Sequence, residues 1–359
     1  MGTRKATLTV LIVLTLVFVS FAKIKVEAQT KTIVVPDDYP TIQEAIDNAL
    51  EGDAIYVKKG VYVENPVVSK SVSLVGEDRD ATVIDVTAGL KVQRDGVTVT
   101  GLTIYDGYDG ISLGANYCNI SGNRITNTTH GIVVFGYENS ISGNIFESIG
   151  LSSAIQLNFA DKNLINKNYI DSCVEGIQIW QNSNNNTIRE NTITNCQDTA
   201  INFQYSNDNV IVGNNISRSG LGTSIYASNR NIISNNNYVN NTSQFGANEW
   251  YYLTWGGNRS INTINENYWS DYNGTDANGD GIGDTPYIID EYNADYYPLM
   301  KPVAIPELPD GAGNKGTGET EPFPVVPVAV ASVATGAVVG VGLLVYFKKC
   351  KHIAEITTE

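Results

Sequence analysis

Polar and apolar residues recur along this chain at intervals of 21 to 24 residues. The phrase Ile-x-x-Asn begins at residues 120, 141, 165, 188, 211 and 233, and again at 264 after an insertion. A second phrase, of small–apolar–x–apolar form, begins at 110, 131, 154, 176 and 200. This alternation predicts short strands that each bury one face.

A repeat of this length predicts a parallel β-helix. Leucine-rich repeats lack asparagine at this spacing, and helical repeats need a longer unit. Each coil of a β-helix buries its apolar residues only when a neighbour stacks on it. Because stacked coils lie about 4.8 Å apart, the repeated asparagines are expected to form a ladder of amide hydrogen bonds. The ladder would comprise Asn123, Asn144, Asn168, Asn191, Asn214 and Asn236.

The segment from Thr41 to Leu50 predicts a short helix that covers the first coil. Thr41 and Glu44 form a capping box at its start. Its apolar face is expected to comprise Ala45, Ile46, Ala49 and Leu50.

The chain resembles secreted right-handed parallel β-helix proteins of the pectate-lyase-like fold in its N-terminal motif, IVVPDDYPTIQEAIDNALEGDAIYVKKGVYVE. It resembles the NosD-like, archaeal-type surface members of that group in the motifs NYWSDYNGTDANGDGIGDTPYIID and NADYYPL. The resemblance covers roughly residues 32–300 and implies an all-β fold. It does not specify an activity, because this fold carries lyases, hydrolases, epimerases and non-enzymes.

Both ends of the chain predict export and membrane anchoring. Residues 1–28 have the form of a signal peptide, with an uncleaved anchor as the alternative. Residues 325–347 form an uncharged run long enough to cross a bilayer as a helix. Lysines follow this run, so residues 348–359 are expected to be cytoplasmic and the body extracellular. Within the predicted span, Gly336 and Gly340 form a GxxxG pattern, which indicates either weak homodimerisation or chance.

The β-helix domain is predicted to occupy residues 29–303, followed by a flexible stalk at 304–324. Residues 32–95 would form the N-terminal cap and first coils, 96–245 the regular repeats, and 246–303 an insertion, an Asp-rich loop and a C-terminal cap. The net charge is −15 at pH 7, which argues against a nucleic acid partner.

A loop of sequence DANGDGIGD predicts a structural calcium site. Oxygen donors on alternate residues and a glycine at the turn are typical of calcium loops. An EF-hand would need a glutamate where this chain has Tyr287. The alternative is a loop of Asx turns without an ion. The predicted ligands are Asp276, Asn278, Asp280, Asp284 and the carbonyl of Ile282.

Copper is the metal associated with proteins that resemble NosD, but it is not expected here. Copper prefers His, Met and Cys ligands, and the chain has no His-x-His, Met-x-x-Met or Cys-x-x-Cys pattern. Cys173 and Cys196 occupy equivalent positions on adjacent coils, which predicts either a disulfide or a pair of buried thiols.

Two outward columns carry acidic residues that could catalyse polysaccharide cleavage. Glu147 and Asp171 are predicted to lie side by side on neighbouring coils, which suits a hydrolase or lyase. Asp109, His130 and Glu175 form a second column. The alternative for both columns is a solvated acidic surface.

Outward amides and aromatic rings predict a binding face for neutral sugars, because rings stack on sugars and amides bond their hydroxyl groups. The insertion at 248–257 adds further aromatic residues, which could instead cover a flank of the stack. The predicted binding residues are Gln156, Gln178, Asn202 and Tyr226 in one outward row and Phe135 and Trp180 in the row beside it.

Eight Asn-x-Ser/Thr sequons predict glycosylation of an exported protein. The leading interpretation is a non-catalytic surface module that binds carbohydrate or a cell-envelope polymer. A polysaccharide-active enzyme and a copper-maturation accessory are the alternatives. The sequons lie at Asn119, Asn127, Asn185, Asn215, Asn240, Asn241, Asn258 and Asn273.

Overall fold

A computed structural model describes residues 30–247 and 261–305. These residues form a parallel β-solenoid, which confirms the predicted β-helix. The predicted signal peptide, membrane span and cytoplasmic tail, and most of the stalk, lie outside the described residues. No helix within the described part is long and apolar enough to span a membrane.

Three parallel sheets, here called A, B and C, run along the solenoid. The first two strands both belong to sheet A, and from the second of them onward the chain passes through the sheets in the order A, B, C. Sheet A contains strands Thr32–Val35, Ala54–Val57, Ser73–Gly76, Thr98–Thr100, Asn119–Ser121, Ser140–Ser142, Leu164–Asn166, Thr187–Arg189, Val210–Val212, Ile232–Ser234 and Thr263–Asn265.

Sheet B contains strands Gly60–Val63, Thr82–Asp85, Thr103–Tyr105, Arg124–Thr126, Ile145–Glu147, Tyr169–Asp171, Thr192–Thr194, Asn215–Ser217, Asn237–Val239 and Tyr268–Trp269. Sheet C contains strands Val67–Val68, Leu90–Val92, Asp109–Leu113, His130–Val134, Ser153–Asn158, Glu175–Trp180, Thr199–Gln204, Leu221–Tyr226 and Ser243–Ala247. A separate antiparallel pair, Tyr287–Ile288 and Ala294–Asp295, follows the last coil.

The core is a set of apolar columns, one column per inward position of each sheet. In sheet A the isoleucine of every Ile-x-x-Asn phrase pairs in register with the next, as Ile141 does with Ile165 and Ile165 with Ile188. These side chains are completely buried. Each coil therefore closes the face of its neighbour, as the repeat predicts.

The predicted asparagine ladder is confirmed. Asn168 donates from Nδ2 to Asn191 Oδ1 at 3.0 Å, and its backbone N–H donates to the same oxygen at 2.9 Å. A second ladder, which the repeated phrases do not predict, runs five residues earlier in each coil and repeats this geometry. It comprises Asn139, Asn163, Asn186, Asn209, Asn231 and Asn262.

The N-terminal end is covered by the helix Ile42–Asn48. Thr41 accepts a hydrogen bond from the Glu44 backbone N–H at 3.1 Å, which is one of the two hydrogen bonds of a capping box. The predicted inner face was wrong at Leu50, which is 69% exposed, while Ile42 is fully buried. The helix ends two residues before Leu50 and the backbone becomes extended at Ala49, so Leu50 no longer follows the helical period.

The C-terminal end is closed by stacked aromatic rings. Trp269 lies between Tyr238 and Tyr287, with ring centroids 4.4 Å from each. Asp295 then ends the first ladder, because its carboxylate accepts from the Asn267 backbone at 2.9 Å and from Trp269 Nε1 at 3.0 Å.

Candidate functional site

The outer face of sheet C presents three rows of side chains that follow the solenoid axis. The first row begins with Asp109 and His130 and continues through Ser153 and Glu175. The second row contains Ser112, Val133, Gln156, Gln178, Asn202 and Ser224. The third contains Asn158, Trp180, Gln204 and Tyr226.

Amides on the second row are linked to each other and to the first row. Gln156 Nε2 donates to Gln178 Oε1 at 2.6 Å. Asn202 Nδ2 donates to Glu175 Oε1 at 3.0 Å. The face therefore holds its amides in fixed orientations, which is what recognition of hydroxyl groups needs.

One amide oxygen on the third row has no partner. Asn158 is 7% exposed, and its Oδ1 is buried without a hydrogen bond inside the protein. Buried polar atoms almost always have a partner. Asn158 lies directly beside Trp180 in register, so the buried oxygen belongs to a residue that neighbours an aromatic side chain.

The predicted binding residues lie together on this face, with one correction. Tyr226 was placed in the row of Asn202, but it pairs with Gln204 in the third row, and Ser224 follows Asn202. The sequence pattern misplaces Tyr226 because of Thr223. This residue points into the core where earlier coils have isoleucine, so the small–apolar–x–apolar phrase that aligns the other coils is absent from this one. Phe135 lies immediately after the strand His130–Val134, at the edge of the same face, and is 53% exposed.

The first row contains two half-buried carboxyl groups. Burial raises the pKa of Glu175, although hydrogen bonds from Asn202 and Ser153 lower it. Burial likewise raises the pKa of Asp109, although the neighbouring His130 acts to lower that pKa. His130 Nδ1 lies 3.2 Å from Asp109 Oδ1, in a contact that lacks hydrogen-bond geometry.

Glu147 and Asp171, the predicted catalytic pair, are direct partners in register on sheet B. Both carboxylates are engaged by neighbours. Arg124 forms an ion pair with Glu147 and also contacts Asp80 at 3.1 Å. Asp171 accepts from Asn195 Nδ2 at 2.6 Å. The pair is thus brought together, but inside a network of side-chain contacts.

The predicted calcium loop folds onto its own backbone. Asp276 accepts from the backbone N–H groups of Gly279 at 2.7 Å and Gly281 at 2.9 Å. Asp284 accepts from the Ala277 backbone at 2.9 Å. Across residues 30–247 and 261–305, no group of three or more His, Cys, Asp or Glu side chains is placed to hold a metal. These contacts are those of Asx turns, and calcium binding stays a prediction.

The predicted disulfide partners are free thiols in this structure. Cys173 and Cys196 are both buried. They lie on adjacent coils, because the Gln197 backbone N–H donates to the Cys173 carbonyl at 2.8 Å. Burial raises the pKa of both thiols, that of Cys196 to about 12.

Burial separates the sequons into accessible and inaccessible sites. Asn215 is half-buried, and Asn258 lies outside the described residues. Asn241 is 8% exposed and bonds Ile216 O and Gln244 Oε1, so the folded chain cannot present it to a transferase. The exposed sequons are Asn119, Asn127, Asn185, Asn240 and Asn273.

Several solved structures are similar to the chain at low identity. A mannuronic acid specific polysaccharide family 6 lyase from human gut microbiota is 13% identical, with a TM-score of 0.45, over 67% of this chain and 81% of the lyase. The Dettilon tailspike protein is 16% identical, with a TM-score of 0.49, over 66% of this chain and 62% of the tailspike. An alginate lyase from a Paenibacillus species is 16% identical, with a TM-score of 0.42, over 66% of this chain and 98% of the lyase. Likeness at this level specifies neither a ligand nor an activity for this chain.

A comparison with curated proteins gives no match. A family model matches residues 46–274, which is more than half of the chain and includes all of the sheet C face described above. That model describes NosD, a periplasmic copper-binding protein. The chain therefore belongs to the NosD family.

Proposed function

We propose that this protein is a non-catalytic surface module that binds neutral carbohydrate, or a cell-envelope polymer, on the outer face of sheet C. The predicted span at 325–347 would anchor it, with the solenoid outside the membrane. The periplasmic description of the family is consistent with an exported body.

The observation that carries this proposal is the unpartnered Oδ1 of Asn158. A sugar hydroxyl can donate to it once the side chains that cover it move aside, while the ring of Trp180 offers an apolar surface to the sugar's C–H groups. Gln156 and Gln178 are already ordered by their mutual hydrogen bond. Binding therefore requires little additional ordering of the protein.

Binding of the full-length chain to neutral oligosaccharides tests this proposal. The chain is purified in a detergent without sugar groups, immobilised, and exposed to β-1,4-linked gluco- and manno-oligosaccharides. Asn158→Ala should weaken binding by roughly tenfold, as loss of about 1.4 kcal/mol requires. Trp180→Ala should weaken it similarly.

Asn166→Ala supplies the matched control, because Asn166 Oδ1 is also buried and unpartnered but lies on sheet A. It should bind as the unmodified chain does. Full retention of binding in Asn158→Ala would contradict the proposed site.

The alternative enzyme function would use Glu147 and Asp171. Their proximity in register favours it, whereas their contacts with Arg124 and Asn195 leave neither carboxylate free. Release of product from a polysaccharide, lost in Glu147→Gln and in Asp171→Asn, would replace the binding proposal with this one.

Copper is the metal that the family description implies, and the residues of this chain do not fit it. Copper(I) prefers thiolate and thioether ligands, but Cys173 and Cys196 are buried thiols whose pKa values are raised. His130 has only an acidic neighbour at its Nδ1. Met300 follows the last coil, several coils away from His130. We therefore derive no function through copper.

A further inference from the structure

Exposed aromatic rings follow the corner where the chain leaves sheet C for sheet A. We call this set the aromatic strip. Its members lie on consecutive coils, interrupted only by the coil of the half-buried Trp180, and each is between 40% and 63% exposed. The strip comprises Tyr117, Phe135, Tyr137, Phe159 and Tyr205.

Single exposed aromatic residues need no explanation, but five along one corner of the solenoid do. Equivalent corners lie about 4.8 Å apart from coil to coil. Phe159 and Tyr205 occupy the same register position and the other rings lie elsewhere within the same corner, so the rings follow one corner parallel to the solenoid axis. Phe159 and Tyr205 hold left-handed φ angles of 50° and 55°. Glycine or asparagine suits such a corner better than an aromatic residue, so the turn does not account for the rings.

Neighbouring rings are held in place by edge contacts. Tyr117 and Tyr137 pack at 5.4 Å with an interplanar angle of 84°. Tyr205 and Tyr226 pack at 5.2 Å and 88°, and their hydroxyls lie 3.4 Å apart. Rings ordered in this way lose little conformational freedom when a ligand stacks on them.

The strip borders the sheet C face, and the two surfaces together fit one ligand chemistry. Aromatic rings and fixed amides suit sugars, and one coil advances by about the length of one hexose unit in an extended chain. The opposite edge of the face carries the carboxyl groups of Asp109 and Glu175. Among the sheet C strands, the only basic side chains are Lys91 and His130, at the N-terminal end.

We infer that the aromatic strip and the sheet C face bind an extended, uncharged polysaccharide that lies parallel to the solenoid axis and crosses at least five coils. A polyuronate would bring one negative charge per unit toward the carboxyl row of a chain whose net charge is −15, so charge disfavours it. This inference rests on the proposed carbohydrate function and adds the polymer's direction, length and charge.

Affinity measured against oligosaccharide length tests the inference. The full-length chain is titrated with β-1,4-linked gluco- and manno-oligosaccharides of about two to six units and with oligogalacturonates of the same lengths. Affinity for the neutral series should rise with each added unit. The oligogalacturonates should bind at least tenfold more weakly at low salt.

Tyr117 and Tyr205 lie two coils before and two coils after Asn158, so they probe the two ends of the strip. Tyr117→Ala and Tyr205→Ala should each weaken binding of the longest neutral oligosaccharide roughly two- to tenfold. Both should leave binding of the disaccharide unchanged. Tyr296→Ala is the matched control, since Tyr296 is 66% exposed at the C-terminal end of the solenoid domain.

The outcomes separate this inference from the proposed function. Neutral oligosaccharide binding that depends on Asn158 but not on length, Tyr117 or Tyr205 overturns the inference and leaves the proposed site. If oligogalacturonates bind as tightly as the neutral oligosaccharides, the inferred preference for an uncharged polymer is wrong. No binding of either series overturns both proposals.

Discussion

The asparagine ladder predicts a large loss of stability when Asn191 is replaced by alanine. Asn191 is fully buried in the middle of the first ladder. Its Oδ1 accepts from the Asn168 backbone and side chain at 2.9 and 3.0 Å. Its Nδ2 donates to Ile165 O at 3.0 Å and to Asn214 Oδ1 at 2.9 Å.

Asn191→Ala removes all four of these hydrogen bonds. A net contribution of about 0.5–1.5 kcal/mol for each bond gives a loss of roughly 2–6 kcal/mol. The upper part of that range applies here, because the Asn168 backbone N–H stays buried without its partner, although Asn168 Nδ2 keeps its hydrogen bond to Ile141 O at 2.9 Å.

Urea unfolding followed by far-UV circular dichroism measures this loss. Solenoids can unfold coil by coil, so amide hydrogen exchange at Asn168 supplies a local readout. That amide should exchange much faster in the variant. Asn119→Ala is the control, because Asn119 is exposed on sheet A and its replacement should change stability by no more than about 0.5 kcal/mol. Both variants are compared as unglycosylated protein, because Asn119 is itself a predicted glycosylation site.

The reasoning fails if Asn191→Ala and Asn119→Ala have the same urea midpoint and the same slope. It also fails if Asn168 exchange is unchanged. Either result would mean that the apolar columns alone hold neighbouring coils together and that the ladder adds nothing.

Three further measurements follow from the structure. Calcium at the loop of Asp276 and Asp280 should raise the melting temperature reversibly, as ligand binding to the native state requires, and an unchanged melting temperature would indicate a loop of Asx turns only. If Cys173 and Cys196 are oxidised on export, mass spectrometry under non-reducing conditions should find their peptides linked. The raised pKa of each thiol slows thiol–disulfide exchange once the chain has folded. Recovery of both free thiols would therefore show that the coils fold before the disulfide forms. Burial raises the pKa of Glu175, so stability should fall as pH rises through that raised pKa. Glu175→Gln should abolish this dependence and raise the urea midpoint at neutral pH, whereas an unchanged pH profile would argue against a buried charge.

The repeat could be predicted from sequence because Ile-x-x-Asn keeps a fixed internal spacing. Isoleucine must point inward, and the asparagine three residues later must reach the same position in every coil. The second ladder escaped detection because its members lie in asparagine-rich turns. Near Asn186, for example, three consecutive asparagines hide which one points inward.

The candidate site was only partly predictable. Alternation of side chains placed Gln156, Gln178 and Trp180 on one outward face. The hydrogen bond between Asn202 and Glu175 joins different rows and different coils, so it depends on rotamers that the sequence pattern does not encode. The unpartnered oxygen of Asn158 is hidden from sequence for the same reason.

The features that hold the coils together also determine the geometry of the proposed binding surface. The ladders and the isoleucine columns lie inside the solenoid, whereas Asn158 and the aromatic strip occupy outward-facing positions of the coils, so substitutions on the two sets should affect different properties. A ladder variant should lower stability, yet at temperatures where it stays folded it should keep the length dependence of binding, because the spacing between coils is set by the sheets. A variant of the aromatic strip should keep its stability and lose the length dependence of binding. Separation of these two effects would show that the fixed spacing of the coils determines which ligand lengths bind best.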